Sequence, residues 1–548
     1  MASVGVTRNV NDVKKPPPNK WAALAVLAAG LSMIVLDGTI VGVSLPTIID
    51  DLGLDLGDAQ WVNSLYSVVL AALLLSAGRL GDRVGRRKLF IAGVVLFMAG
   101  SLFSAMADSS SSLILGRAIQ GVGGAAVLPS TLASVNANFQ GRDRAAAFGV
   151  WGAVMSGMAA VGPLLGGWLS SSVDWRWIFL VNLPFGLLVL VGTLLFVPET
   201  SDTHSAPGFD VVGLLLSASA FGLLVFALIE GPTLGWWTPQ QPLAIGPVSW
   251  PAGSSPVIPL AIAGVVLLAA FLGWQAHRAK LGHAALLDLK LFKISTFSWG
   301  NTAAAAVAVG EFGLLLVLPL FLVNVLETGT LGAGLILAAM ALGAFGSGAA
   351  ARHLADLMGA ARVVILGLAL EVAGVLVLAI FTSNSLPIAL LVPVLVVYGL
   401  GLGLASAQLT GTVLRDIPTE ASGEASATQS TVRQIGSGLG SAIAGTILAV
   451  ATAASTMGLL RDAGADDATA TKMASGLSDS AGGLISSVNA ASPLHDALTA
   501  GFATGVQWSL FGAAAFLLLG LIASFRVASA ARLTGKGATG ADAGLSQE

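Results

Sequence analysis

Two acidic residues stand where acids are rare: Asp37 inside the apolar run LDGTIVGVSLP and Glu311 inside AVAVGEFGLLL. A charged carboxylate at the centre of a bilayer costs about 2.5–3.5 kcal/mol on an insertion scale, so each is expected to face protein or water, and function is the default reading. Burial favours the neutral form of a carboxyl, which lets such a group take up and release a proton or face a cation. A shift of 274 residues (from 37 to 311) superimposes the two acids. It also places Asp82 on Asp356, Gly85 on Gly359, Lys88 on Arg362, Gly162 on Gly436 and Gly166 on Gly440. With only 29 Asp and Glu in 548 residues, the acidic coincidences carry the signal and the glycines add little. The pair is read as equivalent positions of an internal repeat, sharing a water-accessible central cavity; a plain hydrogen-bonded helix contact is the alternative at each. Glu371 lies alone in its apolar run without a repeat partner, and Glu230 is expected to meet the outer interface.

The elements that must position these acids follow from composition. At 55% hydrophobic and 10% charged residues the chain falls outside the soluble range and reads as an integral membrane protein. Fourteen apolar stretches are long enough to span: 21–44, 59–77, 89–107, 113–137, 145–170 and 177–197; then 211–229 and 258–276; then 297–325, 332–350, 363–381, 387–409, 427–451 and 505–525. The first is too long for a signal-peptide core and lacks a cleavage site, so it is read as a retained span. Most of the 26 Lys and Arg fall on one side of this arrangement, which puts both termini in the cytoplasm of a multi-pass cell-membrane (plasma or inner membrane) protein. The expected fold is all-α, two pseudo-symmetric six-helix bundles plus an inserted helix pair. The expected units are a tail 1–20, a first bundle 21–200, the inserted pair with its outer loop and linker 201–296, a second bundle 297–526 and a tail 527–548. The Ala/Ser/Gly/Asp-rich segment 452–504 is expected to be an outer loop of low order.

Other residues add to the site. Asn63, Tyr66 and Ser67 fall on one helical face, where Tyr66 can offer a ring to a cation. Arg117, inside the fourth span, needs an anionic partner or water, and Gln120, Gly121 and Gly124 share its face. In GRLGDRVGRRK, Gly78, Gly81 and Gly85 allow a tight turn, while Asp82 can accept from helix-start amides or pair with an arginine. The fifth span, GMAAVGPLLGGWL, carries Gly157, Gly162, Pro163, Gly166 and Gly167, small residues for close helix approach and a proline that bends it.

GRLGDRVGRRK resembles the signature loop of the major facilitator superfamily, and ARHLADLMGAAR looks like its second-half copy. The resemblance implies a cytoplasmic gate formed by Asp82, Arg83, Arg86 and Arg87, an Arg117 in LILGRAIQGVGGA that assists proton movement, and a glycine-proline fifth span associated with antiporters. LDGTIVGVSLP together with WRWIFLVNLPFG resembles the fourteen-span branch of drug:proton antiporters. Gly42 departs from the family, where Asn is common, and Ser437 stands in the second copy where the first has Pro163.

The function expected is therefore a proton-coupled secondary antiporter that exports amphipathic, cationic compounds by alternating access. Asp37 and Glu311 take the proton or balance substrate charge, and the chain acts as a monomer. Export of a native metabolite, proton-coupled uptake, or a membrane sensor built on a transporter body are the alternatives. No cysteine is present and the five histidines show no ligand spacing, so no metal or cofactor is expected. No phosphate-binding G-x-x-x-x-G-K-[ST] loop and no nucleophile-base pair point to an enzyme, and nothing points to nucleic acid.

Overall fold

The computed structural model describes residues 19–139, 141–200, 210–240, 244–245, 248–250, 254–283, 285–417 and 422–544. Most of the first tail and the start of the linker after the sixth span therefore lie outside the described residues. The first set of helices is α1 (Lys20–Leu52), α2 (Leu56–Val84), α3 (Arg86–Ala105), α4 (Ser110–Asn138), α5 (Gly141–Ser172), α6 (Trp177–Leu180) and α7 (Asn182–Phe196). α8 (Val211–Leu234) and α9 (Val257–Lys280) follow, joined by a segment that holds a two-residue hairpin, β1 (Ala244–Ile245) with β2 (Val248–Ser249). The last set is α10 (Ser295–Asn324), α11 (Gly329–Met358), α12 (Ala360–Phe381), α13 (Ile388–Val413), α14 (Ser422–Asp462), α15 (Asp467–Asp479) and α16 (Pro493–Gly544). Twelve helical stretches among the described residues are long and apolar enough to cross a membrane. α2 and α5, also expected as spans, are 29 and 32 residues long.

Local chemistry explains several ends. The Asn19 side chain accepts from the Ala22 amide to start α1, and Asp210 accepts from Gly213 to start α8. One residue, Gly85, joins α2 to α3 at φ 117°, and one residue, Gly359, joins α11 to α12 at φ 89°. Both lie in the left-handed half of φ space that side chains avoid, which is why a single residue can reverse the chain there. The sixth span is interrupted at Val181. Pro184 supplies no amide to the Leu180 carbonyl and its ring crowds that carbonyl, so α6 ends and α7 begins.

Segment 452–504 corrects the expectation of low order. α14 continues to Asp462, α15 follows, and α16 starts at Pro493. α15 buries Ala470, Ala474 and Leu477 in the main core, and the Asn324 amide donates to the Ala481 carbonyl at 2.9 Å. Alanine, counted as bland, is the strongest helix former.

α1 packs on α5 and α7, α2 on α4, and α3 on α4; α10 packs on α14 and α16, α11 on α13, and α12 on α13. The two sets meet along α5 with α11 and α2 with α14. A single apolar core runs across both sets at the end of α1 near Leu52, through Ile40–Ile49, Val62 and Leu169 to Leu316–Leu322 and Leu337. At the Lys20 end the first set has its own core of Leu24, Leu27, Tyr66, Leu70, Phe90, Phe97 and Val127. There Arg79 of α2 reaches Glu424 of α14 at 3.7 Å. α8 touches both sets: Trp61 Nε1 donates to Glu230 at 2.8 Å, so Glu230 is a tie to α2, and the Thr446 hydroxyl of α14 donates to the Leu228 carbonyl at 2.6 Å.

Candidate functional site: two buried ion pairs

Asp37 sits in the middle of α1, wholly buried, and faces its own set of helices. Arg117 and Gln120, three residues apart on α4, point at it together. The Arg117 guanidinium donates through Nη1 to Asp37 Oδ2 and, at 2.8 Å, to Gln120 Oε1; its Nε donates to the Val62 carbonyl of α2 at 3.2 Å. Gln120 Nε2 donates to Asp37 Oδ1 at 2.8 Å and to the Ser101 hydroxyl of α3 at 2.8 Å. Asn182, the first residue of α7, donates to Asp37 Oδ1 at 3.0 Å and to Ser101 at 3.1 Å. Both carboxylate oxygens are thus bonded, as a buried charge requires.

Tyr66 is drawn into this cluster in a role other than the expected one. Its ring lies 4.3 Å from the Arg117 guanidinium carbon, so the cation on its face is the protein's own. Its hydroxyl is buried without a hydrogen-bond partner. Asn63 and Ser67 are not brought in: Asn63 is half-buried, and the wall beside Ser67 is Gly438 of α14.

Glu311 faces a second arginine. Arg433 of α14 donates to its Oε2 at 3.4 Å, while Oε1 is buried without a partner. Glu371 of α12 is fully buried and neither of its oxygens has a partner. It lies within electrostatic range of Glu311 and Arg433, and the Tyr398 side chain of α13 is within range of both acids. The partners of Asp37 come from α4 and α7, and that of Glu311 from α14, so the two acids sit in separate hydrogen-bond clusters. The physical reason is the arginine: each helix set supplies its own counter-charge, which turns each acid inward.

The remaining expected residues make local packing and capping contacts where they are described. Gly81 packs against Leu89, and Gly78 faces Pro129. At Gly85 a Cβ would collide with the Glu199 carboxylate, which accepts from the Arg87 amide at 3.1 Å and caps α3. Arg86 reaches the Ala133 carbonyl at 3.3 Å, Arg87 reaches the Leu194 carbonyl at 2.8 Å, and Arg83 is exposed. The Asp82 side chain lies outside the described residues, as do the surroundings of Gly157. Gly162 and Gly166 let α5 lie on Thr39 and Ile40 of α1, while Gly167 and the Pro163 carbonyl meet Gly334 of α11.

Three participants escaped the sequence reading. Asn182 was legible only as one polar residue within WRWIFLVNLPFG. Arg433 was visible inside a span without a partner to assign. Ser101 gave no signal.

A bundle of long apolar helices with an arginine-bound acid inside each of two sets defines a polytopic membrane protein built to handle charge within the bilayer. Residues 27–441 match the Major Facilitator Superfamily, and the chain belongs to that family of transporters; it is not an enzyme. It is 34% identical over 434 residues to the multidrug resistance protein Stp of Mycobacterium tuberculosis, covering 79% of this chain and 76% of that one. It is 32% identical over 456 residues to the puromycin resistance protein of Streptomyces alboniger, covering 80% and 84%. Among solved structures, a bacterial homologue of the human lysosomal transporter Spinster, inward-facing and occupied, shares the fold with a TM-score of 0.58 at 19% identity, covering 94% of this chain and 97% of that one.

Proposed function

We propose that this chain is a fourteen-span, proton-coupled antiporter that exports amphipathic, cationic compounds across the cell membrane, with both termini cytoplasmic. The observation that carries the reading is a buried carboxylate bound to an arginine in each helix set, Asp37 with the buried Arg117 and Glu311 with the half-exposed Arg433. A buried pair is poor value as a stabiliser and expensive to break, so a chain that keeps two in a membrane uses them. Protonation of either acid would release its arginine, and a cationic substrate would compete for the same carboxylate. The like neighbour lists of α1–α7 and α10–α16 support two pseudo-symmetric bundles that rock about the contacts of α5 with α11 and α2 with α14. The names borne by the relatives support export of toxic compounds, and the two buried acids of the last set, Glu311 and Glu371, favour a cation.

The test is ethidium accumulation in liposomes holding the purified protein under an imposed pH gradient. Asp37→Asn and Glu311→Gln are each expected to abolish gradient-driven accumulation while downhill ethidium exchange persists. Normal proton dependence in both variants would end the proposal.

A further inference from the structure

The two ion pairs are not equally satisfied. Around Asp37 one acid meets one arginine, and both oxygens are bonded. Around Glu311 two acids meet one arginine: Arg433 is the cation in range of both Glu311 and Glu371, and it donates to Glu311 alone. Among the described residues, the helices around the middle of α12 supply no further counter-charge. Tyr398 comes from α13, Glu311 from α10 and Arg433 from α14. The facing stretches of α11 (335–350) and α16 (502–525) contain no Asp, Glu, Lys, Arg or His. Three charges there would leave a net negative charge on two buried acids, with the half-exposed Arg433 as their one cation and the Glu371 oxygens bonded to nothing. One proton held between the two carboxyls brings the trio to zero.

The geometry points to Glu371 as a second proton carrier, which trades a proton with Glu311 across the shared Arg433 guanidinium during transport. The step balances: Glu311 releases its own proton to the cytoplasmic side, then the Glu371 O–H bond breaks, an O–H bond forms on Glu311 and this second proton leaves by the same route. Arg433 stays a cation that turns toward the newly ionised Glu371, the cationic substrate offsets the second negative charge, and both carboxyls reload from the outer side. Helix packing fixes Glu371 in place, since Gly367 and Gly401 bring α12 and α13 into backbone contact beside it, and Gly374 seats Tyr398 one turn away. The inference rests on the proton-coupled reading of the chain, and goes beyond it by adding one acid to the proton count.

The experiment is the static-head ethidium accumulation of the purified protein in liposomes, with the membrane potential clamped and a one-unit pH gradient imposed. Loss of one coupled proton removes 2.303RT per unit of gradient, so Glu371→Gln is expected to accumulate about tenfold less ethidium than wild type while retaining net coupling. Glu371→Asp is expected to restore the wild-type ratio. A structural carboxyl would lower stability or rate and leave the static-head ratio unchanged, so an unchanged ratio in Glu371→Gln overturns the inference. Should that variant not fold, carbodiimide labelling of the wild-type protein decides: modification of the Glu371 peptide, slowing as pH rises, supports a transferable proton there, and an unmodified peptide overturns it. Wild-type protein with no proton dependence would instead remove the proposed function itself, so the two failures are told apart.

Discussion

Asp37 owes its position to three donors on two helices, α4 and α7, and those donors differ in what their removal does. Arg117→Ala would leave a buried carboxylate without its counter-charge, a change that costs about 3–5 kcal/mol when one partner of a buried pair is removed. Asn182→Ala removes one donor to Asp37 and one to Ser101, leaving Gln120 and Arg117 in place, for about 1–3 kcal/mol. Thermal unfolding in detergent is therefore expected to rank wild type above Asn182→Ala and Asn182→Ala above Arg117→Ala; the reverse order of the two variants would contradict the network described. Asp37, Arg117 and Gln120 were legible in the sequence because charges in apolar runs are costly and few. Asn182 and Ser101 were not, because neutral polar residues are common in spans and only a three-dimensional neighbour gives them a task. Tyr66 was found and misread for a related cause. A helical face says which side a ring occupies, and it does not say that Arg117 of another helix lies on it.

At the scale of elements, the existence of the long apolar helices followed from hydropathy, while their ends and the short helix α15 did not. α14 reaches Asp462 and α16 begins at Pro493, well beyond the apolar runs that announced them, because alanine-rich polar sequence continues a helix as readily as apolar sequence does. The glycine pattern of α5 was legible as close packing, and its two partners were not: Gly162 and Gly166 serve α1, while Gly167 serves α11. A Cβ at Gly167 would come within 2.9 Å of the Thr330 carbonyl oxygen and 3.0 Å of the Gly334 Cα. Gly167→Val is then expected to pry α5 from α11 at an overpacking cost of about 1–3 kcal/mol. The same change at Gly222, where nothing lies within 4 Å, is expected to be near neutral. Melting temperatures of the two variants in one detergent check the contrast, and equal melting points would mean that the α5–α11 contact is looser than described.

The whole molecule is closed by apolar contact at one end, where the core of α1 and α5 runs without a break into α10 and α11, and by the Arg79–Glu424 pair at the other. In the proposed orientation, with the basic segments in the cytoplasm, the apolar closure faces outward, and the proposed export requires it to open. Thr47 of α1 and Thr330 of α11 mark that closure directly, with their hydroxyl oxygens 2.7 Å apart. The chain has no cysteine, so Thr47→Cys with Thr330→Cys places a single pair of thiols in an otherwise thiol-free protein. The two sulfurs would stand where these oxygens meet, and a small side-chain adjustment brings them to the Cβ separation of about 3.5–4.5 Å that a disulfide needs. Oxidation is expected to lock the outward side shut and stop ethidium export, and reduction to restore it, while either single-cysteine variant is indifferent to both treatments. A fully cross-linked protein that still transports at the wild-type rate would mean that the two helix sets do not separate there, and rocking about α5 and α11 would have to be given up even if proton coupling stood.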